Sequence, residues 1–142
     1  MVTLTVSNRM ENVAAQRPSF RAFQILKFCF IAAPLIAGID KFFNILVDWT
    51  KYLSPIVGNV VPPYAFMRLV GIVEIVAAGI VAVNPRVGAK IVTVWLWAII
   101  LNLSTIPGYF DVALRDFGLS LGALALSYLS GEYFYPSSSS SS

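Results

Sequence analysis

The chain has 142 residues and a formal net charge of +3; 58% of its residues are hydrophobic and 12% charged, and the mean hydropathy is +0.77. A soluble domain carries about 25% charged residues, so this composition excludes water as the main solvent, and the length allows one compact unit. Histidine is absent, which excludes imidazole-ligated haem or chlorophyll, histidine-built zinc sites and the usual general base, and the small charge without a basic run excludes nucleic acid as a partner.

Residues 1–21 are polar and mixed, with Arg9, Glu11, Arg17, Pro18 and Arg21. No apolar core follows a short basic start, so this segment reads as a polar N-terminal tail rather than a cleavable signal peptide. The first apolar segment runs from about Phe20 to Trp49 and is purest over Phe28–Ile39. That pure stretch is too short to cross a bilayer, so the predicted span continues through Asp40-Lys41 to Val47, with Pro34 and Gly38 tolerated inside it. The single cysteine, Cys29, lies in this run and reads as a small buried hydrophobe. Asp48–Pro63 is a connector punctuated by Pro55, Gly58, Asn59 and Pro62-Pro63. The second span is Tyr64–Asn84, nearly unbroken apolar sequence that carries Arg68 near one end and Glu74 near its middle. Pro85-Arg86-Val87-Gly88 is expected to form a tight turn into a third span, Ala89–Ile106, closed by Pro107-Gly108. Trp95 and Trp97 fall at its centre and point about 200° apart, so both cannot face the core; packing, or contact with a flat ligand or neighbouring subunit, would occupy them. The fourth span runs from Phe110 to Leu129, and residues 131–142 form a C-terminal tail ending in a serine run that cannot pack.

The predicted fold is therefore all-α, an integral membrane four-helix bundle over residues 22–130. Arg9, Arg17, Arg21, Lys27, Arg86 and Lys90 gather on the side of the termini, against Lys41, Lys51, Arg68 and Arg115 on the other. The positive-inside rule then predicts both termini on the cytoplasmic side. Trp49, Tyr52, Tyr64, Tyr109 and Phe110 would mark the outer interface, and Tyr128, Tyr133, Phe134 and Tyr135 the inner one.

This topology sends Asp40, Lys41, Arg68, Glu74, Asn102, Arg115 and Asp116 to the outer half of the bundle. An ionised group at such depth costs about 3 kcal/mol on insertion scales, so pairing across helices is the cheapest arrangement. Arg68 and Glu74 are six residues apart and project about 120° from one another, which leaves Lys41 and Arg115 as the expected partners of Glu74. Two roles compete for this cluster: interhelical glue, favoured by the balance of signs, and a polar pocket for a quinone headgroup, a small anion or a proton path. Gly118/Gly122 and Ala78/Ala82 are the small-residue pairs expected to let helices approach closely.

Gly38-Ile39-Asp40-Lys41, the glycine-rich stretch Gly71–Gly79 around Glu74, and Arg115-Asp116 opening the fourth span together resemble the DoxX-like family of small four-helix membrane proteins. The resemblance covers about residues 20–130; the long first loop and the serine tail stand outside it. It matches Lys41, Glu74, Arg115 and Asp116 to the family's recurrent polar positions and implies membrane redox chemistry, since the name-giving member is similar to a subunit of a thiosulfate:quinone oxidoreductase. The expected function is a non-catalytic integral membrane subunit of a larger redox complex, respiratory or photosynthetic, in a prokaryotic inner (plasma) membrane. Its partners would be membrane lipids and other membrane subunits, with no covalently bound cofactor and a quinone or lipid as the ligand of the polar cluster. The alternatives are a quinone-binding oxidoreductase subunit in which Glu74 relays protons, and a small oligomeric transporter. The lack of histidine and of a cysteine pair argues against redox chemistry in the chain itself.

Overall fold

Prolines set where the three middle helices begin. The computed structural model describes residues 18–133, and within them five α-helices and no strands: α1 (Pro18–Asp40), α2 (Pro55–Gly58), α3 (Pro63–Val83), α4 (Pro85–Ser104) and α5 (Phe110–Tyr133). A 3-10 turn, Trp49–Tyr52, lies in the connector before α2. The tail residues 1–17 and 134–142, including Phe134, Tyr135 and the serine run, lie outside the described residues. Proline occupies the first turn of α2, α3 and α4, where its fixed φ suits a helix and its missing N–H costs nothing.

Four of these helices are long and apolar enough to cross a membrane. The molecule is an all-α integral membrane four-helix bundle. α1 packs beside α3, α3 beside α4, α4 beside α5 and α5 beside α1, which closes a ring around a core of Phe30, Ala77, Val81, Leu96, Ala123 and Leu126. Large apolar side chains such as Phe28, Leu69, Leu101 and Leu114 are exposed on the outer faces, as an acyl-chain solvent requires. The start of α1 meets the end of α5: Ser19 hydrogen-bonds the Tyr133 hydroxyl, and the Phe20 ring lies edge-on to Tyr133 at 5.2 Å.

The boundaries differ from the sequence expectation in instructive ways. α1 reaches back to Pro18, taking in Arg21 and Lys27, and stops at Asp40 instead of running on to Val47. Two groups stop it: Asn44 adopts φ 52°, and the Asp40 carboxylate takes the N–H groups of Ile45 and Leu46. Arginine and lysine near the start of a span can carry their charge to the interface on flexible stems, so their presence does not exclude the segment from a helix. Between α3 and α4 the turn is a single residue, Asn84, whose side chain accepts the Val87 N–H; Pro85 already belongs to the helix. α5 continues one turn past Leu129 to Tyr133.

One member of each expected small-residue pair is packed, since Ala78 is buried and a Cβ on Gly122 would stand 3.4 Å from the Phe30 ring, but the other member is not. Gly118 has no heavy atom within 4 Å of where a Cβ would stand, and Ala82 is exposed. Close packing comes instead from Gly38 against Gly71, where a Cβ on either would stand 2.6–2.7 Å from the other's carbonyl oxygen, and from Gly88 against Val81. In α5 the buried residues Ala113, Asp116, Ser120, Ala123, Ser127 and Ser130 alternate at steps of three and four, a narrow small-residue stripe against α4. Cys29 is exposed rather than buried, because Phe30 takes the inward position and the neighbouring residue turns about 100° away.

Candidate functional site

The site follows from the crossing of two glycines. With no Cβ at Gly38 or Gly71, α1 and α3 come into backbone contact, and the residues one turn further on are forced together. Those residues are Lys41 and Glu74. Lys41 Nζ donates to Glu74 Oε2 at 2.7 Å, and the two residues are 5% and 8% exposed, so both charges are withdrawn from their surroundings. A charge-assisted bond of this length supplies the compensation that a buried ion demands.

Trp49 seals the pair. Its ring covers Lys41 Nζ at 3.7 Å from the centroid, and its Nε1–H donates to Asp40 Oδ2 at 2.8 Å. Asp40 is itself buried and accepts from Ile45 N at 2.9 Å and Leu46 N at 3.0 Å. One carboxylate thus ends α1, folds the loop back and positions the indole over the neighbouring ammonium. The covered cation gains up to about 2 kcal/mol from the aromatic face where water is excluded.

Two further buried polar groups come from the other helices. Asp116 of α5 is 4% exposed. From α4 the Trp95 indole N–H is buried and has no hydrogen-bond partner among the described residues. Buried N–H groups are nearly always paired, so this one stands out as an unsatisfied donor among the described residues.

The remaining predicted residues stand elsewhere. Arg115 pairs with Asp116 through Nε and Nη2 at 3.2 and 3.1 Å, but its side chain is 66% exposed and approaches from outside the bundle. It does not reach Glu74. Arg68 is exposed on the outer face of α3 and joins no ion pair among the described residues, contrary to the expected buried cluster. Its position, one turn into the helix, lets the guanidinium lie at the interface, so no internal partner is required. Asn102 serves the connector: Nδ2 donates to the Tyr52 carbonyl at 2.6 Å and Oδ1 accepts from Ser54 N at 2.9 Å. The Thr105 hydroxyl adds a bond to Ser54 Oγ at 2.8 Å.

At the same end, Asp48 caps the 3-10 turn and accepts from Thr50 Oγ1 at 2.7 Å and Thr50 N at 3.1 Å. These bonds hold its carboxyl below the usual carboxylate range. Rings at Trp49, Tyr52 and Tyr109 follow one another at 6.1 and 5.2 Å between centroids, an aromatic edge around the sealed pair.

Sequence reasoning placed Trp49 in an interfacial belt and missed its role as the cover. The available signal was a tryptophan nine residues after an acid–base doublet at a helix end. Trp97 packs edge-on against Phe117 at 5.7 Å on the outside, while Trp95 turns inward, which accounts for the opposed directions of the two indoles. No family model matches the chain, and neither a curated protein nor a solved structure matches it.

Proposed function

We propose that this chain is a non-catalytic integral membrane subunit of a larger membrane redox complex, respiratory or photosynthetic, with its termini on the cytoplasmic side of a prokaryotic plasma membrane. The observation that carries the non-catalytic role is the closure of the Lys41–Glu74 pair, with the Gly38–Gly71 crossing beside it and Trp49 over it. Charges held in this way join helices and fix their register; they present nothing to a substrate. The bundle then offers the membrane and its neighbours an outer face of exposed apolar side chains. Redox association rests on the resemblance to DoxX-like proteins through Lys41, Glu74, Arg115 and Asp116. Orientation rests on Arg21, Lys27, Arg86 and Lys90 at the Pro18 end. Purification of the native chain in mild detergent is expected to bring down larger redox subunits, identifiable by mass spectrometry. A homo-oligomer free of other subunits would contradict the proposal.

A second reading is favoured by Trp95. Its buried N–H, without a partner among the described residues, is a donor that a carbonyl-bearing, lipid-soluble ligand such as a quinone would satisfy. In that case quinone would quench Trp95 fluorescence, and Glu74→Gln would abolish pH-dependent quinone reduction by the assembled complex. Absence of quenching in the wild-type chain rejects this reading.

A further inference from the structure

The Trp95 ring has two sides, and the second belongs to a different place. On the lipid-facing side of α4, Lys90, Ile91, Val94, Trp95 and Ala98 line an open groove of about 370 Å³. Val94 is 70% exposed and Ile91 39%, so the groove faces outward, away from the Lys41–Glu74 pair. It runs about 12 Å along the helix from Lys90 to Ala98. Lys90, Val94 and Ala98 follow at steps of four, and Arg86 continues the same row by one turn. Both Arg86 and Lys90 are exposed, and neither pairs with a carboxylate among the described residues. The row is therefore an apolar channel about half the bilayer in depth, with two cations, unpaired among the described residues, at the end of the bundle where α1 begins.

We propose that this groove binds one anionic phospholipid, its phosphate held by Arg86 and Lys90 and an acyl chain lying along Ile91, Val94 and Ala98 over the Trp95 ring. The charge pattern selects the ligand. A zwitterionic lipid would fill the apolar groove equally well but leave the two cations without net compensation, and a transmembrane helix of a partner would have to supply carboxylates at that depth. A lysine or arginine near a membrane surface favours an anionic headgroup by a factor of about five each, so the pair favours it by about 25-fold. The proposal is independent of the complex named above, because it concerns the opposite end of the bundle and a single helix.

The test adds phosphatidylglycerol or phosphatidylcholine to the full chain in mild detergent and counts bound lipid by native mass spectrometry. Phosphatidylglycerol is expected to be retained about 25-fold better than phosphatidylcholine, and Arg86→Gln with Lys90→Gln to remove that preference. Ala98→Phe, which fills the groove without altering charge, should weaken retention of both lipids, and Lys51→Gln at the other end should change nothing. The unfolding midpoint in detergent alone verifies that each variant folds. Equal retention of the two lipids by the wild-type chain overturns the proposal, as does undiminished preference in the double variant; either result leaves the groove to bulk lipid or to a partner helix.

Discussion

At Gly71 the absence of a side chain decides where a charge can be buried. A Cβ there would stand 2.6 Å from the Gly38 carbonyl oxygen and 3.2 Å from the Lys41 Cβ, so the two helices would have to separate. Gly71→Ala is expected to lower stability by about 1–3 kcal/mol in detergent unfolding, the usual cost of forcing atoms into a packed contact. Gly79→Ala, with nothing within 4 Å of the new methyl, should be neutral or stabilising by up to about 1 kcal/mol. Trp49 is the second decisive residue. Trp49→Phe keeps a ring over Lys41 but removes the N–H to Asp40, so it should cost about 1.5–3 kcal/mol, the range for a hydrogen bond to a charged group. Trp49→Leu removes both contacts and should cost more; equal losses in the two variants would show that the ring face contributes nothing.

The elements show how a loop comes to be as well fixed as a helix. The connector between α1 and α3 is held at three places: by Asp40 at its start, by Asp48 on the 3-10 turn, and by Asn102 reaching across from α4. Asn102→Leu leaves the Ser54 N–H and the Tyr52 carbonyl without their partner and should cost about 1–3 kcal/mol, read as faster hydrogen exchange at Ser54. Asp48 gives the connector a pH dependence of known sign. Its folded pKa lies below the ordinary value of about 3.9, so its contribution is present above that value and is lost as the pH falls through the lower folded value. Exchange at Thr50 should therefore quicken only below about pH 4, and Asp48→Asn should remove that step. A step near neutral pH would point to another group.

Across the whole molecule, what the sequence made legible and what it hid divide along physical lines. The four spans were readable because apolar length and proline punctuation act locally. The inward direction of Glu74 was readable too, since Met67, Gly71, Glu74, Ala78 and Val81 repeat at steps of four and three on one face of α3. Where α1 ends was hidden, because the Asp40 carboxylate competes with the helix for loop N–H groups, a contact no periodicity announces. Arg68 and Arg115 misled for one reason: a long cationic side chain near a span end reaches the interface, while a glutamate at mid-span has no such exit. Glycines at Gly38 and Gly71 gave no pairing signal from spacing, since the contact joins two helices rather than two positions on one.

The ion pair between Lys41 and Glu74 is the joint between α1 and α3. A double-mutant cycle with Lys41→Met and Glu74→Met, followed by reversible unfolding in detergent, measures it directly. Each single variant strands a buried charge and is expected to lose about 3–5 kcal/mol, whereas the double variant, with an apolar pair in the same space, should recover most of that loss and give a coupling above about 2 kcal/mol. Additive losses, or single variants as stable as the wild-type chain, would contradict it.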